Sequence, residues 1–322
     1  MHQSLPELAL SEIELGTTVA GIRLPSPVII NAMTGGAPGV EGINRDLATV
    51  AAELGLAMAL GSQTAGLKEP EVAGSYRVVR QVNPRGIILA NLSAEATPDR
   101  AKAAVDMVAA DLIQIHLNAP QELLMAEGDR DFRGQLTNIA RLVRELPVPV
   151  VVKECGFGLS REMARRLYEV GVRAVDISGR GGTNFAWIEL RRRAAEEPDP
   201  GLQDWGIPTA CALAEVGTLA LPGLDVIASG GIHHGSEAAK ALALGARAVG
   251  VAGALLKRQQ AGGVTAARRY LESLLANLRT AMLLAGAPTV SAMHSRPVVL
   301  TGGVGEWCRL RGIDLQGLAT RH

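Results

Sequence analysis

Apolar, strand-like runs recur eight times along this chain, each followed by a segment with helical spacing, and that alternation leaves few folds open. The runs are VIINAM (28–33), LAMALGS (56–62), GIILANLS (86–93), LIQIHLN (112–118), PVVVKECG (149–156), AVDISGRGG (174–182), LDVIASGG (224–231) and ARAVGVAG (246–253). Segments such as GINRDLATVAAELG, RAKAAVDMVAA, GQLTNIARLVREL, SREMARRLYEVG and GSEAAKALALG lie between them and place apolar residues on one helical face. The last two end in Gly, a helix stop, and Ser160 stands where an N-cap belongs. A long amphipathic stretch, TAARRYLESLLANLRTAMLLAG, follows the eighth run. Eight strand-then-helix units predict an α/β protein of the (β/α)8 TIM-barrel class. A doubly wound open sheet is the alternative, and it more often begins with a Gly-rich dinucleotide turn, which this chain lacks. No linker or break in composition divides the 322 residues, so one domain is expected: a lead-in over 1–27, the barrel over 28–285 and a C-terminal extension over 286–322.

Composition narrows the class of partner. Hydrophobic residues at 48% and 37 glycines suit packed helices and strands with short turns, far from disorder. Lys+Arg and Asp+Glu stand at 32 each, so charge gives no argument for nucleic acid or an anionic membrane. The N-terminal MHQSLPELALSEIEL lacks the basic flank and apolar stretch of a signal peptide. No uncharged apolar run reaches the ~18 residues that a spanning helix needs. Three cysteines form no paired framework and the six histidines are scattered, so a cytoplasmic protein without a histidine metal cluster is expected.

In a barrel, alternate side chains of each strand fill the interior, and those at the C-terminal ends line the mouth where chemistry sits. Asn91 and Ser93 share the face of Leu89. Gln114, His116 and Asn118 share another, Lys153 follows Val151, and Asp176 and Ser178 follow Ala174. Any one of these is ordinarily a satisfied buried polar residue. Four consecutive strands aiming such groups at one mouth point to a ligand, because unsatisfied buried polar groups are costly. A lysine embedded in VVVKECG either loses its proton or faces an anion; a Schiff-base role, a counter-ion role and a lysine snorkelling past the strand end all fit. Two long connections, 119–133 and 183–206, follow strands and so belong to the same face. SGGIHHGSEAAKALALG and GVAGALL offer backbone N–H groups near helix N-termini, a phosphate cradle at the place where barrels build one. His233 and His234 stand beside it, though adjacent loop residues more often face solvent. AMTGGAPG (32–39) leaves free backbone where a flat ring could approach, and the whole suits flavin mononucleotide, FMN.

In order and spacing, INAMTGG, GSQ, ANLS, HLNAPQELLMAEGDRDF, VVKECGFGLS, VDISGRGGTNFAWIE, WGIPT and ASGGI resemble the type 2 isopentenyl-diphosphate isomerases, from about residue 5 to about 290. The HxNxxQE and SGRGGT blocks are specific to that family, whereas SGGI and AMTGG are shared with other FMN barrels. The resemblance implies a (β/α)8 enzyme that interconverts isopentenyl and dimethylallyl diphosphate, with reduced FMN, Mg2+ and NADPH and no net redox change. It implies flavin-ring contacts at Ala32, Met33, Thr34, Ser62 and Asn91. Lys153 would lie by N1 of the ring, and Ser178 and Thr183 would also touch FMN. Gly230, Gly231, Ile232, Ala252 and Gly253 would receive its phosphate. Gln121, His116 and Asn118 would meet the substrate and, with Lys153, form the catalytic set, while Glu122 would ligate Mg2+. It also implies a homo-oligomer, tetramer or octamer. The chemistry is consistent: protonating an unactivated alkene creates a tertiary carbocation, a task beyond ordinary side-chain acids. An electron-rich ring suits it, and Lys153 would favour that ring's anionic form.

Three departures bear on diphosphate affinity. Members of the family usually begin upstream, with a basic Arg-Lys motif followed by His, and this chain starts after that point. Where the family often has Arg after GS, GSQTAGLKEP offers Thr64, with Lys68 the nearest cation. The strand-eight motif, often Ala-Arg, reads Ala252-Gly253 here, with Arg130, Arg133 and Arg180 as potential replacements. A flavin-binding barrel with slow turnover is therefore one expectation. An FMN-dependent 2-hydroxy-acid oxidase or dehydrogenase is another, although its histidine base has no counterpart in SGRGGT (178–183). A non-catalytic binding barrel and a Schiff-base aldolase using Lys153 complete the alternatives. The tail, 296–322, is expected to pack on the barrel or to make a subunit contact.

Overall fold

The computed structural model describes residues 2–192 and 201–321, so residues 193–200 of the long 183–206 connection lie outside the described residues. Each of the eight runs forms a parallel strand: β1 Val28–Ile30, β2 Ala57–Ala59, β3 Ile88–Ser93, β4 Leu112–Leu117, β5 Val150–Glu154, β6 Ala174–Asp176, β7 Asp225–Ser229 and β8 Ala248–Val251. They pair in sequence order, and β8 closes on β1, giving a closed eight-stranded barrel. Register fixes what sits beside what at the mouth. His116 pairs with Lys153 across β4 and β5, and Lys153 pairs with Asp176 across β5 and β6.

Strands with both faces covered read as continuous apolar runs, and β5 begins Val150-Val151-Val152 for that reason. One set of alternate residues, including Ile29, Ala57, Ala59, Leu89, Leu112, Val151, Ala174 and Ile227, fills the interior. The other set, including Ile30, Met58, Ile113, Ile115, Val152 and Val175, packs outward into the layer of helices. A hairpin of Thr17–Val19 and Ile22–Leu24 closes the bottom, with Val19 and Leu24 joining the interior cluster. It is anchored by the Ala20 N–H, which donates to Asp225 Oδ2 at 2.8 Å, and by Thr17 Oγ1, which donates to the Arg247 carbonyl at 3.0 Å. With the bottom plugged, the C-terminal ends of the strands are the open face.

The outer ring comprises α1 Val40–Leu54, α2 Gly74–Val82, α3 Pro98–Val108, α4 Gln135–Glu145, α5 Arg161–Glu169, α6 Thr209–Gly217, α7 Gly235–Ala243 and α8 Gly253–Leu284. The Ser160 side chain accepts from the Met163 N–H at 3.2 Å, the cap expected from the sequence. Ser160→Ala should therefore destabilise the fold by about 1 kcal/mol in urea unfolding, with the transition slope unchanged. The amphipathic stretch after β8 is the C-terminal part of a longer helix, broken at Gly262 and Gly263, whose backbone leaves the helical region. Beyond it, helices Gly302–Leu310 and Leu315–Thr320 bring Cys308, Ile313 and Leu318 against Ala214 of α6. Trp307 Nε1 and Arg311 Nε both donate to Glu215 Oε1, at 2.8 and 2.7 Å, so the tail docks on the barrel's flank. Among the described residues, no helix is long and apolar enough to cross a membrane.

Candidate active site at the barrel mouth

Two residues above the apolar interior layer, the inward positions turn polar: Asn31 after Ile29, Asn91 after Leu89, Gln114 after Leu112, Lys153 after Val151, Asp176 after Ala174 and Ser229 after Ile227. Asn31, Gln114 and Ser229 are linked around Asp176, which is wholly buried. Asn31 Nδ2 donates to Asp176 Oδ2 at 2.7 Å, and Ser229 Oγ and the Ser178 N–H donate to Oδ1 at 2.6 and 3.1 Å. Gln114 Nε2 donates to Asn31 Oδ1 at 3.1 Å, which leaves buried Gln114 Oε1 without a partner among the described residues.

Lys153 is 8% exposed and stands on this layer. Its Nζ donates to the Glu154 carbonyl at 2.7 Å and to Ser178 Oγ at 3.4 Å, with Cys155 Sγ 3.9 Å away. Burial is the largest single influence and disfavours the ammonium. The negative charges of Cys155, Asp176 and Glu154 together outweigh it, so the pKa is raised. These three anions are not equally available. Burial pushes the Cys155 thiol up to about 11, which leaves it protonated at neutral pH. Burial likewise pushes Glu154 up to about 7, against the Phe157 and Gly158 N–H groups that its Oε2 accepts at 2.6 and 3.0 Å.

His116 is held by Asn91. Asn91 Nδ2 donates to the Leu60 carbonyl at 2.9 Å, so its Oδ1 is the acceptor for His116 Nδ1, also at 2.9 Å. That contact places the proton on Nδ1 and leaves Nε2 as an acceptor. Burial first, and the Lys153 charge second, push the imidazole down to about 4, with Glu95 opposing. A depressed folded pKa stabilises the protein above the unfolded value of 6.5, and that contribution is lost as pH falls towards 4. At pH 5 the loss should be about 2 kcal/mol. A His116→Asn variant should show a correspondingly smaller drop in unfolding free energy between pH 7 and 5, and the wild-type imidazole resonances should not titrate above pH 5.

The rim comes from the two long connections. Asn118 ends β4's polar face and precedes a short helix, Ala119–Leu124, which packs against a second, Phe185–Arg192, with Leu124 and Ala186 joined by Phe157. Asn118 Nδ2 donates to Gln121 Oε1 at 2.7 Å, and Gln121 Nε2 donates to Glu189 Oε1 at 2.7 Å. Glu189 is 3% exposed and is balanced by Arg192, 2.9 Å from its Oε2. Glu122 is half-buried, and its Oε2 accepts the Asp129 N–H at 3.1 Å. Among the described residues, no three His, Cys, Asp or Glu side chains are grouped to hold a metal. A divalent cation on Glu122 would thus depend on oxygens brought by a ligand, an arrangement common for Mg2+ with phosphates.

Opposite the rim, backbone closes on backbone. Gly230 and Gly231 adopt φ of +99° and +77°. A Cβ on Gly230 would lie 2.0 Å from the Gly179 carbonyl oxygen, and one on Gly182 would lie 2.6 Å from the Gly231 nitrogen. One on Gly253 would lie 2.9 Å from Thr183 Oγ1. Thr209 Oγ1 fixes the same loop by donating to the Gly230 carbonyl at 2.6 Å. The start of α7 is filled by its own Glu237, whose Oε2 accepts the His233 and His234 N–H groups at 2.6 and 3.0 Å. Room for an anion therefore falls to the Gly230–Gly231 loop and the first turn of α8 at Ala252 and Gly253, whose N–H groups have no intrahelical acceptor. Ala32, Met33, Thr34 and Ser62 are partly exposed at the ends of β1 and β2. Thr34 turns its hydroxyl to Asn44 Oδ1 at 2.7 Å and its carbonyl to the Gly61 N–H at 3.1 Å, so its backbone N–H is what remains for a ring. This set of a glycine cradle, a buried ammonium and an orphaned amide oxygen suits FMN.

The expected site residues thus gather at one mouth, while the replacement cations are engaged elsewhere. Arg130 clasps its own loop through the Glu122, Met125, Gly128 and Asp129 carbonyls, Arg133 pairs with Asp131, and Arg180 with Asp204. Sequence reasoning missed Asn31, Ser229, Thr209 and Glu189. The first two carried a signal, each standing two residues beyond an interior isoleucine. Glu189 carried none, because a carboxylate in FAWIELRR reads as solvent-facing.

The FMN-dependent dehydrogenase family profile matches residues 78–300. A curated isopentenyl-diphosphate delta-isomerase from Symbiobacterium thermophilum is 70% identical over 321 residues, covering 100% of this chain and 88% of that protein. One from Geobacillus sp. (strain WCH70) is 47% identical over 322 residues, covering 100% and 91%. Among solved structures, one described as a lactate oxidase from Pediococcus acidilactici aligns with a TM-score of 0.70 at 19% identity, over 92% of this chain and 81% of that one. A mandelate oxidase with benzoyl-formic acid aligns at 0.63 and 20% identity, over 91% and 83%. The structural likeness establishes the barrel alone. The sequence likeness goes further, and the chain belongs to the isopentenyl-diphosphate delta-isomerase family, built on the FMN-dependent dehydrogenase barrel.

Proposed function

We propose that this chain interconverts isopentenyl and dimethylallyl diphosphate, using FMN kept reduced by NADPH and Mg2+ held on the substrate diphosphate. The observation that carries the reading is the buried Lys153 ammonium on the inward polar layer, beside a rim where Asn118, Gln121 and Glu189 are joined by hydrogen bonds. When bound and reduced, FMN supplies an electron-rich ring that holds an exchangeable proton and stabilises a neighbouring cation. The chain's own residues do the rest. Lys153 would supply the positive charge that favours the ring's anionic reduced form. Neutral His116 presents Nε2 as an acceptor. Asn118 and Glu189 orient the Gln121 amide from both ends, and Arg192 balances the buried Glu189 carboxylate. Glu122 would share Mg2+ with the diphosphate oxygens. The 2-hydroxy-acid oxidation that the structural relatives' names suggest needs an imidazole base after β6, and residues 178–183 contain no histidine.

We further infer a homo-oligomer, tetramer or octamer, in the cytoplasm; light scattering on the purified protein tests the first. The activity test is direct. The protein should purify yellow or take up FMN. After reduction it should convert isopentenyl diphosphate to a mixture with dimethylallyl diphosphate, and EDTA should stop it. Glu122→Gln should raise the Mg2+ needed for half-maximal rate at least tenfold. A protein that takes up no flavin would refute the reading.

A further inference from the structure

We propose that Asp176 is a positioning residue that keeps the Lys153 ammonium charged beneath the flavin ring, and so sets the balance between reduced and oxidised FMN. The inference rests on the flavin reading above. Asp176 is the direct register neighbour of Lys153 on the adjacent strand, on the same interior face. It is wholly buried, and three donors from three stretches of chain converge on its two oxygens: Asn31 Nδ2, Ser229 Oγ and the Ser178 N–H. The Ser178 N–H contact has a second consequence. Ser178 has φ +32°, a conformation unfavourable for a residue with a Cβ, and its Oγ is where the Lys153 Nζ points at 3.4 Å. The carboxylate therefore supports the charge and holds one of the ammonium's two oxygen acceptors, the other being the Glu154 carbonyl at 2.7 Å. Its two competitors are poorer partners: the Cys155 thiol is protonated at neutral pH, and Glu154 turns its carboxyl to the Phe157 and Gly158 N–H groups.

A buried amine without an anion sheds its proton. Asp176→Asn would then remove one buried charge of each sign and leave two neutral groups on adjacent strands. Net charge stays the same, but the cation nearest the ring disappears, and with it the counter-ion for the anionic reduced form. The sign distinguishes this role from two others. A carboxylate acting on the ring directly would, once removed, favour reduced FMN. A carboxylate that only braces the strands would leave the balance alone in any variant that folds and binds.

The test is the midpoint potential of bound FMN, read by its absorption during reductive titration of the full chain. Asp176→Asn should disfavour reduced relative to oxidised FMN about tenfold, ~30 mV for a two-electron couple. Lys153→Met should do the same, the double variant should add nothing to Lys153→Met, and Asp176→Glu should stay near wild type. A wild-type or raised potential in Asp176→Asn overturns the inference. Should that variant not fold, Lys153→Met is compared with Lys153→Met/Asp176→Asn, which leaves no unpaired buried charge. Equal potentials support the inference and a higher one in the double variant overturns it. Failure of the flavin reading itself looks different, since wild type would then bind no FMN.

Discussion

Lys153→Met should lower isomerase turnover about a thousandfold while the barrel still folds and still binds oxidised FMN. The magnitude is that of removing one preorganised charge or donor from a water-poor site, about 10² to 10³ in kcat. Methionine matches the lysine stem, so the packing of the β5 interior face survives, and the cradle at Gly230, Gly231 and Gly253 is made of backbone on other strands. What is lost is specific to the charged state of the ring. The fold should tolerate the change because Asp176 keeps its three donors, which compensate in part for the missing cation. Turnover is measured with saturating Mg2+, FMN and reductant, beside thermal unfolding of the same preparation. A kcat within tenfold of wild type would remove Lys153 from the chemistry.

The barrel was legible because its signal is repeated. Each strand and helix taken alone is ambiguous, but eight alternations in order have few other solutions, and closure leaves no edge to explain. The inward polar faces of β3 to β6 were legible for a related reason: a period of two is strict, so Val151 inside fixes Lys153 inside. Asn31 obeyed the same rule and was hidden by its neighbourhood, since VIINAM reads as a run rather than as an alternation. Partners across loops are a different matter. Nothing in the one-dimensional pattern pairs Gln121 with Glu189, 68 residues apart, or tells that Glu237 fills the start of α7. The arginines read as potential replacements show the same limit. Arg130 looks like a free cation in EGDRDF, and only the folded loop reveals four carbonyls around it.

Alanine at three glycines, two of them at the cradle and Gly39 outside it, should separate two reasons for glycine that sequence alone confounds. Gly39 has φ +79° with nothing within 4 Å of an added Cβ, so Gly39→Ala carries the backbone penalty by itself, on the order of 1 kcal/mol of stability. Gly182 is not among the positive-φ residues, and its Cβ would sit 2.6 Å from the Gly231 nitrogen, so Gly182→Ala carries the collision by itself. Gly230 has both, with φ +99° and a Cβ 2.0 Å from the Gly179 carbonyl oxygen. No rotamer relieves a collision between a Cβ and backbone, so the β6 and β7 loops must part, and the N–H groups proposed for the phosphate part with them. FMN affinity measured by fluorescence quenching should be near wild type in Gly39→Ala, at least tenfold weaker in Gly182→Ala and at least a hundredfold weaker in Gly230→Ala. Gly230→Ala, which carries both costs, should lose more thermal stability than either of the other two. If Gly230→Ala kept its flavin, the phosphate would have to bind somewhere other than the loops after β6 and β7.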